Sequence, residues 1–282
     1  MSGIVYLVGT PIGNLGDISP RALETLAGVD FIAAEDTRVS LKLLNHYGIK
    51  KPLLSYFAHN RRERGEQILR RLLAGESCAL VTDAGMPAVS DPGEELVALC
   101  AANGVEVICV PGPSALTAAL ALSGLPTGRF TFEGFLSTAA KSRREHLASL
   151  GDERRTMVFY EAPHKLPDTL RDMQNAWGDR RVAICRELTK RYEETIRTTL
   201  SEAMERYPRK GEGDQKPRGE FVLVIEGAPP PEPIADGAGL EQALTQLRTL
   251  KDSGLSLKDA ARQTAEETGL AKNLLYTEAL KK

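Results

Sequence analysis

The segment at residues 81–93, VTDAGMPAVSDPG, holds the densest group of side chains that could take part in chemistry. It combines two carboxylates, Asp83 and Asp91, with Met86, two prolines and two glycines. An apolar run that predicts a buried strand precedes it, and an apolar-periodic run that predicts a helix follows it. Loops at the carboxyl ends of strands hold ligands in open α/β sheets. A plain turn, in which Asp91 or Ser90 caps the helix, is the alternative that this loop alone leaves open.

Two further loops have glycines or prolines after a predicted strand. The first, GTPIGNLGDIS at residues 9–19, ends in Ser19, which is predicted to cap a helix that begins with proline. Its glycine spacing is GxxxGxxG and not GxGxxG, so a pyrophosphate site is not indicated and a simple turn stays open. The second is the rigid turn PGP at 111–113, after which Ser114 is predicted to cap a helix of small residues. We expect that helix to pack closely against a sheet or a ligand.

Composition is that of an ordinary globular protein. The chain has 282 residues, enough for two domains, with 42% apolar and 26% charged residues. Its net charge of -2 argues against coating nucleic acid through bulk charge but permits local basic patches. The four cysteines stand singly in apolar runs as small core residues, and the histidines lack metal-ligand spacing, so no metal is predicted. No membrane helix or basic signal segment is evident, which predicts a cytoplasmic protein without membrane contact.

Alternating strands and helices predict an α/β fold, and the first two strands with the helix between them predict a right-handed parallel unit. A change in character near residues 124–129 divides two predicted α/β domains, 1–126 and 127–227. A Pro-rich linker at 228–235 and a helical tail domain at 236–282 complete the chain. In the tail, two helices broken at Gly269 resemble a helix-turn-helix, which suits packing or dimerisation as well as RNA contact. In the first domain, the almost continuously apolar segment 105–110 predicts a fully buried strand. In the second domain, we predict a helix at 165–177, a polar loop at 207–219 and four strands, at 156–160, 181–186, 195–200 and 221–225.

Taken together, these segments resemble the tetrapyrrole methylase superfamily of S-adenosylmethionine-dependent methyltransferases. The first half carries its opening pattern, YLVGTPIGNLGDISPRALETLAGVDFIAAED. The ribosomal small-subunit RNA 2'-O-ribose methyltransferase I family is more similar still, over residues 4 to about 227 and the helical tail. The first loop lacks the GxGPGD form of the tetrapyrrole enzymes, which counts against a tetrapyrrole substrate. The one departure from the RNA methyltransferase family is Ser137, where a proline is expected. The shared blocks are GTPIGNLGDIS, AEDTR, VTDAGMPAVSDPG, VPGPSALTAAL, FEGFL, FYEAPHKL, RELTKRYEE and GEFVLVIEG.

The resemblance implies two α/β domains with S-adenosylmethionine in the cleft between them. It further implies methylation of the 2'-hydroxyl of one cytidine in the decoding region of 16S ribosomal RNA, free or in the assembled small subunit, by a homodimer. Asp83 and Asp91 would then shape and cap their loop and would not form a catalytic acid pair. The implied cofactor residues are Pro11, Ile12, Asp83, Ala84, Gly85, Met86, Val89, Ser114, Ala115, Tyr160 and Ala162, with Phe159 and Glu161 also closing the cleft.

Methyl transfer from a sulfonium is an in-line displacement, and a ribose hydroxyl needs help to lose its proton. The catalytic candidates are Lys190, as a base or as a cation that stabilises the alkoxide, and Glu187 and Glu161, either of which would orient it. Glu35, Asp36 and Arg38 would face them. The same charges could instead form a structural ion-pair network between the domains.

Basic clusters are the candidate RNA contacts, since phosphate neutralisation drives such binding. Several of these arginines lie on a predicted amphipathic helix and could equally be its solvated face. Two rival functions remain: a tetrapyrrole methyltransferase, disfavoured by the basic clusters and the first loop, and a ribosome assembly factor without turnover, which would not need the methyl donor. The candidate RNA residues are Arg38, Arg61, Arg62, Arg64, Lys141, Arg143, Arg144, Arg186 and Arg191.

Overall fold

The computed structural model describes residues 2–209, 217–230 and 237–280. They divide into two compact units, Met1–Gly151 with Arg155–Glu226, and Asp152–Arg154 with Gly227–Lys282. Every helix among the described residues is too short or too polar to traverse a lipid bilayer.

The first sheet of the larger unit is entirely parallel, in the order β3-β2-β4-β1-β5. The parallel unit predicted for the first two strands is confirmed, since both run parallel to the strand between them. Ser19 caps α1 through a hydrogen bond from the Ala22 amide, as predicted. Apolar side chains pack on both faces of the sheet, which is why its central strands are continuously apolar. The elements are β1 (Ile4–Val8), α1 (Pro20–Gly28), β2 (Phe31–Ala34), α2 (Thr37–His46), β3 (Leu53–Ser55), α3 (Arg61–Leu73), β4 (Cys78–Val81), α4 (Gly93–Ala102), β5 (Glu106–Val110) and α5 (Ala115–Leu122).

The prediction that the strand at 105–110 is fully buried is wrong. The strand forms as β5, but it is the edge of the sheet and pairs with β1 alone. One edge and part of one face therefore reach solvent, and Glu106 and Cys109 are exposed. Cys109 is thus not the core residue that was expected, whereas Cys78, Cys100 and Cys185 are buried. Burial raises the pKa of the Cys78 thiol to about 12, as suits an inert core residue.

The second sheet of the same unit is mixed, with the order β6-β7-β10-β8-β9. β6 and β7 are parallel, and the remaining pairs are antiparallel. The four predicted strands form within one residue of the expected ends, whereas β3, β6 and α8 were not predicted. The strand predicted at 195–200 stops at Thr199 because that side chain caps α8 by accepting from the Glu202 amide. The elements are β6 (Phe130–Phe135), α6 (Ala140–Ser149), β7 (Thr156–Glu161), α7 (Leu166–Trp177), β8 (Arg181–Arg186), β9 (Glu194–Thr199), α8 (Leu200–Arg206) and β10 (Phe221–Ile225).

Helix α5 connects the two sheets physically. It follows the last strand of the first sheet, yet it packs against β8 and β10 of the second. Ala119 and Leu120 are buried in a cluster with Val158, Ala183 and Val224. Small residues let the helix approach the sheet closely, as the sequence predicted. The carboxyl edge of the first sheet is thereby held against one face of the second.

The described residues of the smaller unit form three helices, α9 (Gly237–Asp252), α10 (Leu257–Thr268) and α11 (Lys272–Leu280). Ser256 caps α10, and Gly269 ends it in the left-handed conformation with φ 74°. The predicted helix break at Gly269 is confirmed, whereas α9 was not predicted. Leucine and alanine side chains of all three helices share one core. Residues 231–235 of the predicted linker and 210–216 of the predicted polar loop lie outside the described residues.

Candidate active site

Three loops meet at the carboxyl end of the first sheet. Thr10 and Gly85 exchange two backbone hydrogen bonds, of 2.9 and 3.1 Å. A Cβ added to Gly9 would lie 2.7 Å from the Cα of Gly112, so the loops after β1 and β5 touch backbone to backbone. Met86 joins them, since its sulfur accepts a hydrogen bond from the Gly112 amide at 3.2 Å. The loops after β1, β4 and β5 therefore form one wall, and glycine at positions 9 and 112 permits their contact.

Asp91 holds the loop after β4 in an unusual backbone conformation. Ala88 and Ser90 have φ values of 66° and 62°, which non-glycine residues rarely adopt. The Asp91 carboxylate accepts hydrogen bonds from the Ala88 amide at 2.9 Å and the Gly93 amide at 2.7 Å. The N-cap position of α4 is Pro92, without a side-chain capping bond, so neither Asp91 nor Ser90 caps the helix as the plain-turn alternative expected. The loop is strained and still well anchored, as loops at binding sites often are.

A cavity of about 440 Å³ opens against this wall and is closed by the second sheet. Its size and its mixture of apolar and polar walls suit a small organic ligand. The cofactor residues predicted from the sequence are brought together here, except two. Pro11 lines a neighbouring cavity, and Phe159 points into the core on the other face of its strand, so its predicted part in closing the cleft is wrong. The predicted residues that line the first cavity are Ile12, Asp83, Ala84, Gly85, Met86, Val89, Ser114, Ala115, Tyr160, Glu161 and Ala162.

Tyr160 closes the cavity and caps α5. Its hydroxyl accepts a hydrogen bond from the Leu116 amide at 3.1 Å. Ser114 occupies the N-cap position, as predicted, but its side chain makes no capping bond. The Tyr160 ring packs against Phe132 and Phe135, with centroids 5.0 and 5.5 Å away. Burial raises the pKa of Tyr160, which keeps the phenol neutral.

Three carboxylates gather where β2 and β4 end. Asp83 accepts from the Asp36 amide at 3.0 Å, and Glu35 accepts from the Thr82 hydroxyl at 2.5 Å. Burial, together with the negative charges of Glu35 and Asp36, raises the pKa of Asp83. The hydrogen bond from the Arg38 guanidinium lowers the pKa of Asp36 to about 2. Glu35 and Asp83 line the cavity, so this side of it favours a positively charged ligand.

Lys190 lies between two carboxylates. Its Nζ donates to Glu187 at 2.9 Å and to Glu220 at 2.8 Å. Burial alone would lower the pKa of Lys190, but these two hydrogen bonds outweigh it and raise the pKa. For Glu187, burial acts to raise the pKa, and the hydrogen bonds from Lys190 and the Glu220 amide lower it on balance. Lys190 is therefore an ammonium ion at neutral pH, which favours the charge-stabilising role over the base.

The segment that carries Lys190 is strained and closely fitted. Glu187 and Thr189 have φ values of 51° and 66°, and with Ala88 and Ser90 they are the four non-glycine residues of positive φ in the described chain. A Cβ added to Gly13 would lie 2.4 Å from Cγ of Lys190, so the lysine side chain crosses directly over the first loop. Positive φ values at non-glycine residues, which are often found at functional sites, are thus confined to these two segments of the described chain.

Glu161 does not orient Lys190, and that prediction is wrong. Its carboxylate is fully buried and pairs with Lys165 at 2.9 Å. It also accepts from the Thr169 hydroxyl at 2.5 Å and the Ala162 amide at 2.8 Å. Because strand β7 points it toward α7, Glu161 secures the loop that lines the cavity.

Most of the predicted RNA residues lie at the surface, but Arg143 does not. Its side chain is 7% exposed and pairs with the Asp172 carboxylate at 2.7 Å. The RNA contact predicted for Arg143 is therefore corrected to a structural ion pair. Arg61, Arg38, Lys141 and Arg186 are paired with nearby acids at 2.7, 2.6, 3.8 and 3.8 Å, and Arg64 binds Gln67. Arg62, Arg144 and Arg191 are exposed and form no ion pair with another described residue.

Several residues of the site were not predicted from the sequence. Glu220 is the most important, because it lines both cavities and binds Lys190. An available signal was its place immediately before the strand 221–225, since antiparallel pairing of that strand with 181–186 puts it beside Glu187. The other missed residues, which line the first cavity, are Thr82, Ser90, Phe135, Pro163, Cys185, Leu188, Phe221 and Val222.

Comparison with known proteins identifies related sequences across the whole chain. Residues 4–204 match the family described as Tetrapyrrole (Corrin/Porphyrin) Methylases, and residues 237–282 match the RsmI C-terminal HTH domain. A protein of Synechocystis sp. named Ribosomal RNA small subunit methyltransferase I is 50% identical, covering 97% of this chain and 96% of the relative. A protein of the same name from Pseudomonas aeruginosa is 46% identical, covering 100% and 98%.

Solved structures share the fold at lower sequence identity. The uroporphyrin-III C-methyltransferase from Thermus thermophilus, complexed with S-adenyl homocysteine, superposes with a TM-score of 0.54. It is 21% identical and covers 79% of this chain and 97% of that one. This likeness shows the two-sheet α/β fold that the sequence predicted.

Proposed function

Because this chain belongs to the ribosomal RNA small subunit methyltransferase I family, we propose that it methylates the 2'-hydroxyl of one cytidine in the decoding region of small-subunit ribosomal RNA. The observation that carries the proposal is Lys190, held between Glu187 and Glu220 beside a ligand-sized cavity. A ribose hydroxyl is a weak nucleophile, and a fixed ammonium group is what its developing negative charge requires.

We assign S-adenosylmethionine to the first cavity. The family and the ligand of the Thermus enzyme point to it, and the walls of this cavity fit its parts. Gly85, with φ 89°, and the neighbouring alanines leave backbone groups accessible, while Asp83 and Glu35 favour a cationic ligand. When bound, the cofactor supplies a methyl group on a positively charged sulfur. The protein's own residues hold it in line and, with Tyr160 and Phe135, exclude water.

Three side chains activate the ribose hydroxyl that accepts the methyl group. The Lys190 ammonium donates a hydrogen bond to the ribose oxygen and stabilises its charge as the proton leaves. Glu220, 2.8 Å from Nζ, is the carboxylate placed to accept that proton. Glu187 is a positioning residue, since it fixes Nζ at 2.9 Å and is itself fixed by the Glu220 amide at 3.0 Å.

RNA binding is assigned to the exposed basic residues, without Arg143. Arg62, Arg144 and Arg191 carry no competing ion pair with a described residue and are available to phosphates. Arg38 has an 87% exposed side chain beside the carboxylate cluster. Such contacts predict an affinity that falls steeply with salt.

The proposal extends to a homodimer that acts in the cytoplasm on free RNA or the assembled subunit. Light scattering during gel filtration measures the mass of the particle, and a monomer at micromolar concentration would exclude the dimer. Parallel assays on naked RNA and on small subunits identify the substrate form.

A labelled methyl donor tests the function directly. The purified chain should transfer label to small-subunit RNA, and digestion should release labelled 2'-O-methylcytidine. Lys190→Ala should bind the cofactor normally and lose methylation. Transfer to a tetrapyrrole in place of RNA would favour a small-molecule methyltransferase. Failure to bind the cofactor, with ribosome binding retained, would favour an assembly factor.

A further inference from the structure

A second cavity, of about 360 Å³, adjoins the first. The two share five lining residues: Ile12, Thr82, Asp83, Ala84 and Glu220. Lys190 lines the second cavity and not the first. If the first cavity holds the methyl donor, the group that Lys190 activates has to enter from the second.

The walls of this second cavity differ in chemistry from one side to the other. One side is apolar and open, with Leu15 and Val39 respectively 41% and 39% exposed and Leu43 beside them. The opposite side carries the Lys190 ammonium and the Glu220 carboxylate. Exposed apolar side chains beside a cavity are a common mark of a ligand surface.

Lys42 adds a free positive charge to the lining. It stands on the outer face of α2, is exposed, and forms no ion pair with another described residue. Arg38, one turn earlier on that helix, is by contrast paired with Asp36 at 2.6 Å. Lys42 is therefore available to an anionic group of whatever enters the cavity.

We propose that this second cavity receives the target nucleoside, turned out of the RNA. The ribose hydroxyl lies at Lys190 and Glu220, the base packs on Val39 and Leu43, and Lys42 contacts a flanking phosphate. A nucleotide has the same order of parts, an apolar base face, a polar ribose and an anionic phosphate. Sequence-specific RNA recognition commonly splays an unpaired base out of its strand and packs it on side chains, and the polar and apolar walls of this cavity suit such a nucleotide. The inference rests on the proposed function and adds the acceptor site to it.

The test places a charge on the apolar wall. Val39→Glu should raise KM for the RNA at least tenfold, whereas cofactor affinity by calorimetry stays at the wild-type value. The matched control is Leu41→Glu, because Leu41 lies on the same helix, is 48% exposed and does not line the cavity. RNA with a fluorescent cytidine analogue at the target position provides a readout independent of turnover. Wild type and Leu41→Glu should change its fluorescence on binding, and Val39→Glu should not.

A second pair of variants tests the phosphate contact. Lys42→Ala should weaken RNA binding and reduce the slope of log affinity against log salt by about 1. Lys50→Ala, an exposed lysine outside the cavity, should change neither. If wild type methylates the RNA but each variant matches its control, the nucleoside site is overturned and the proposed function stands. If wild type does not methylate ribosomal RNA at all, the proposed function itself fails.

Discussion

Substitution of Gly13 by alanine should reduce the methylation rate because the added methyl group displaces the side chain of Lys190. The added Cβ would lie 2.4 Å from Cγ and 2.9 Å from Cε of Lys190. Gly13 also has φ 152°, which disfavours alanine. The obstacle is a flexible side chain, so the fold should survive while Lys190 is displaced.

The size of the effect follows from that displacement. Ordinary contact begins near 3.4 Å, so the lysine has to move by about 1 Å, a misplacement that typically costs on the order of 100-fold in rate. A 100-fold loss corresponds to about 2.7 kcal/mol of transition-state stabilisation. Removing the ammonium altogether, in Lys190→Ala, should reduce kcat by about 100- to 1,000-fold.

A double-mutant cycle separates displacement of Lys190 from general damage to the loop. If Gly13→Ala acts through Lys190, adding it to Lys190→Ala should reduce kcat no further. Gly16→Ala is the control in the same loop, because its Cβ would meet nothing but the tip of Asn14, at 3.2 Å. Additive losses in the double variant, or a Gly16→Ala loss equal to that of Gly13→Ala, would refute the reasoning.

Three further predictions follow from the contacts described. Arg143→Ala leaves the buried Asp172 carboxylate unpaired and should lower the free energy of unfolding in urea by about 3 kcal/mol. The exposed neighbour variant Arg144→Ala should stay within about 0.5 kcal/mol of wild type, and equal effects would contradict the assignment of a structural ion pair. Tyr160→Phe removes the cap of α5 and should cost about 1 kcal/mol by the same measurement, whereas an unchanged midpoint would show that the cap contributes nothing. Because the pKa of Lys190 is raised above 10.5 and that of Glu187 is lowered below 4.5, these two side chains stay charged across neutral pH. The contribution of this ion pair to folding stability is lost as pH rises through the raised pKa of Lys190 or falls through the lowered pKa of Glu187. The kcat should then be flat from about pH 6 to pH 9, and a steady rise over that range would indicate that Lys190 is the base.

The elements of the fold could be predicted because their signals are local. Apolar runs indicated the strands β1, β2 and β4, and the three loops of the wall were identified from their own residues. Ser19 indicated the start of one helix and Gly269 the end of another. Edge position is not a local property. The apolar strand β5 was expected to be fully buried because its sequence does not show that it has a single neighbour.

The charged partners of the site could not be predicted in the same way. Glu161 was expected near Lys190, yet it pairs with Lys165, because strand β7 directs it toward α7. Arg143 looked like a member of a solvated basic run, and its partner Asp172 lies on another helix. Such pairs join residues far apart in sequence, and only the packing of elements decides which charges meet. The cofactor loops could be predicted from the family resemblance, whereas the place of Glu220 beside Lys190 and the second cavity are evident only in the structure.

A map of ribose methylation tests the central claim most directly. Small-subunit ribosomal RNA from cells with and without this chain would be compared by mass spectrometry. One 2'-O-methylcytidine in the decoding region should be absent without the chain, return with the wild-type protein and remain absent with Lys190→Ala. A methylation map that does not depend on the chain would contradict the account.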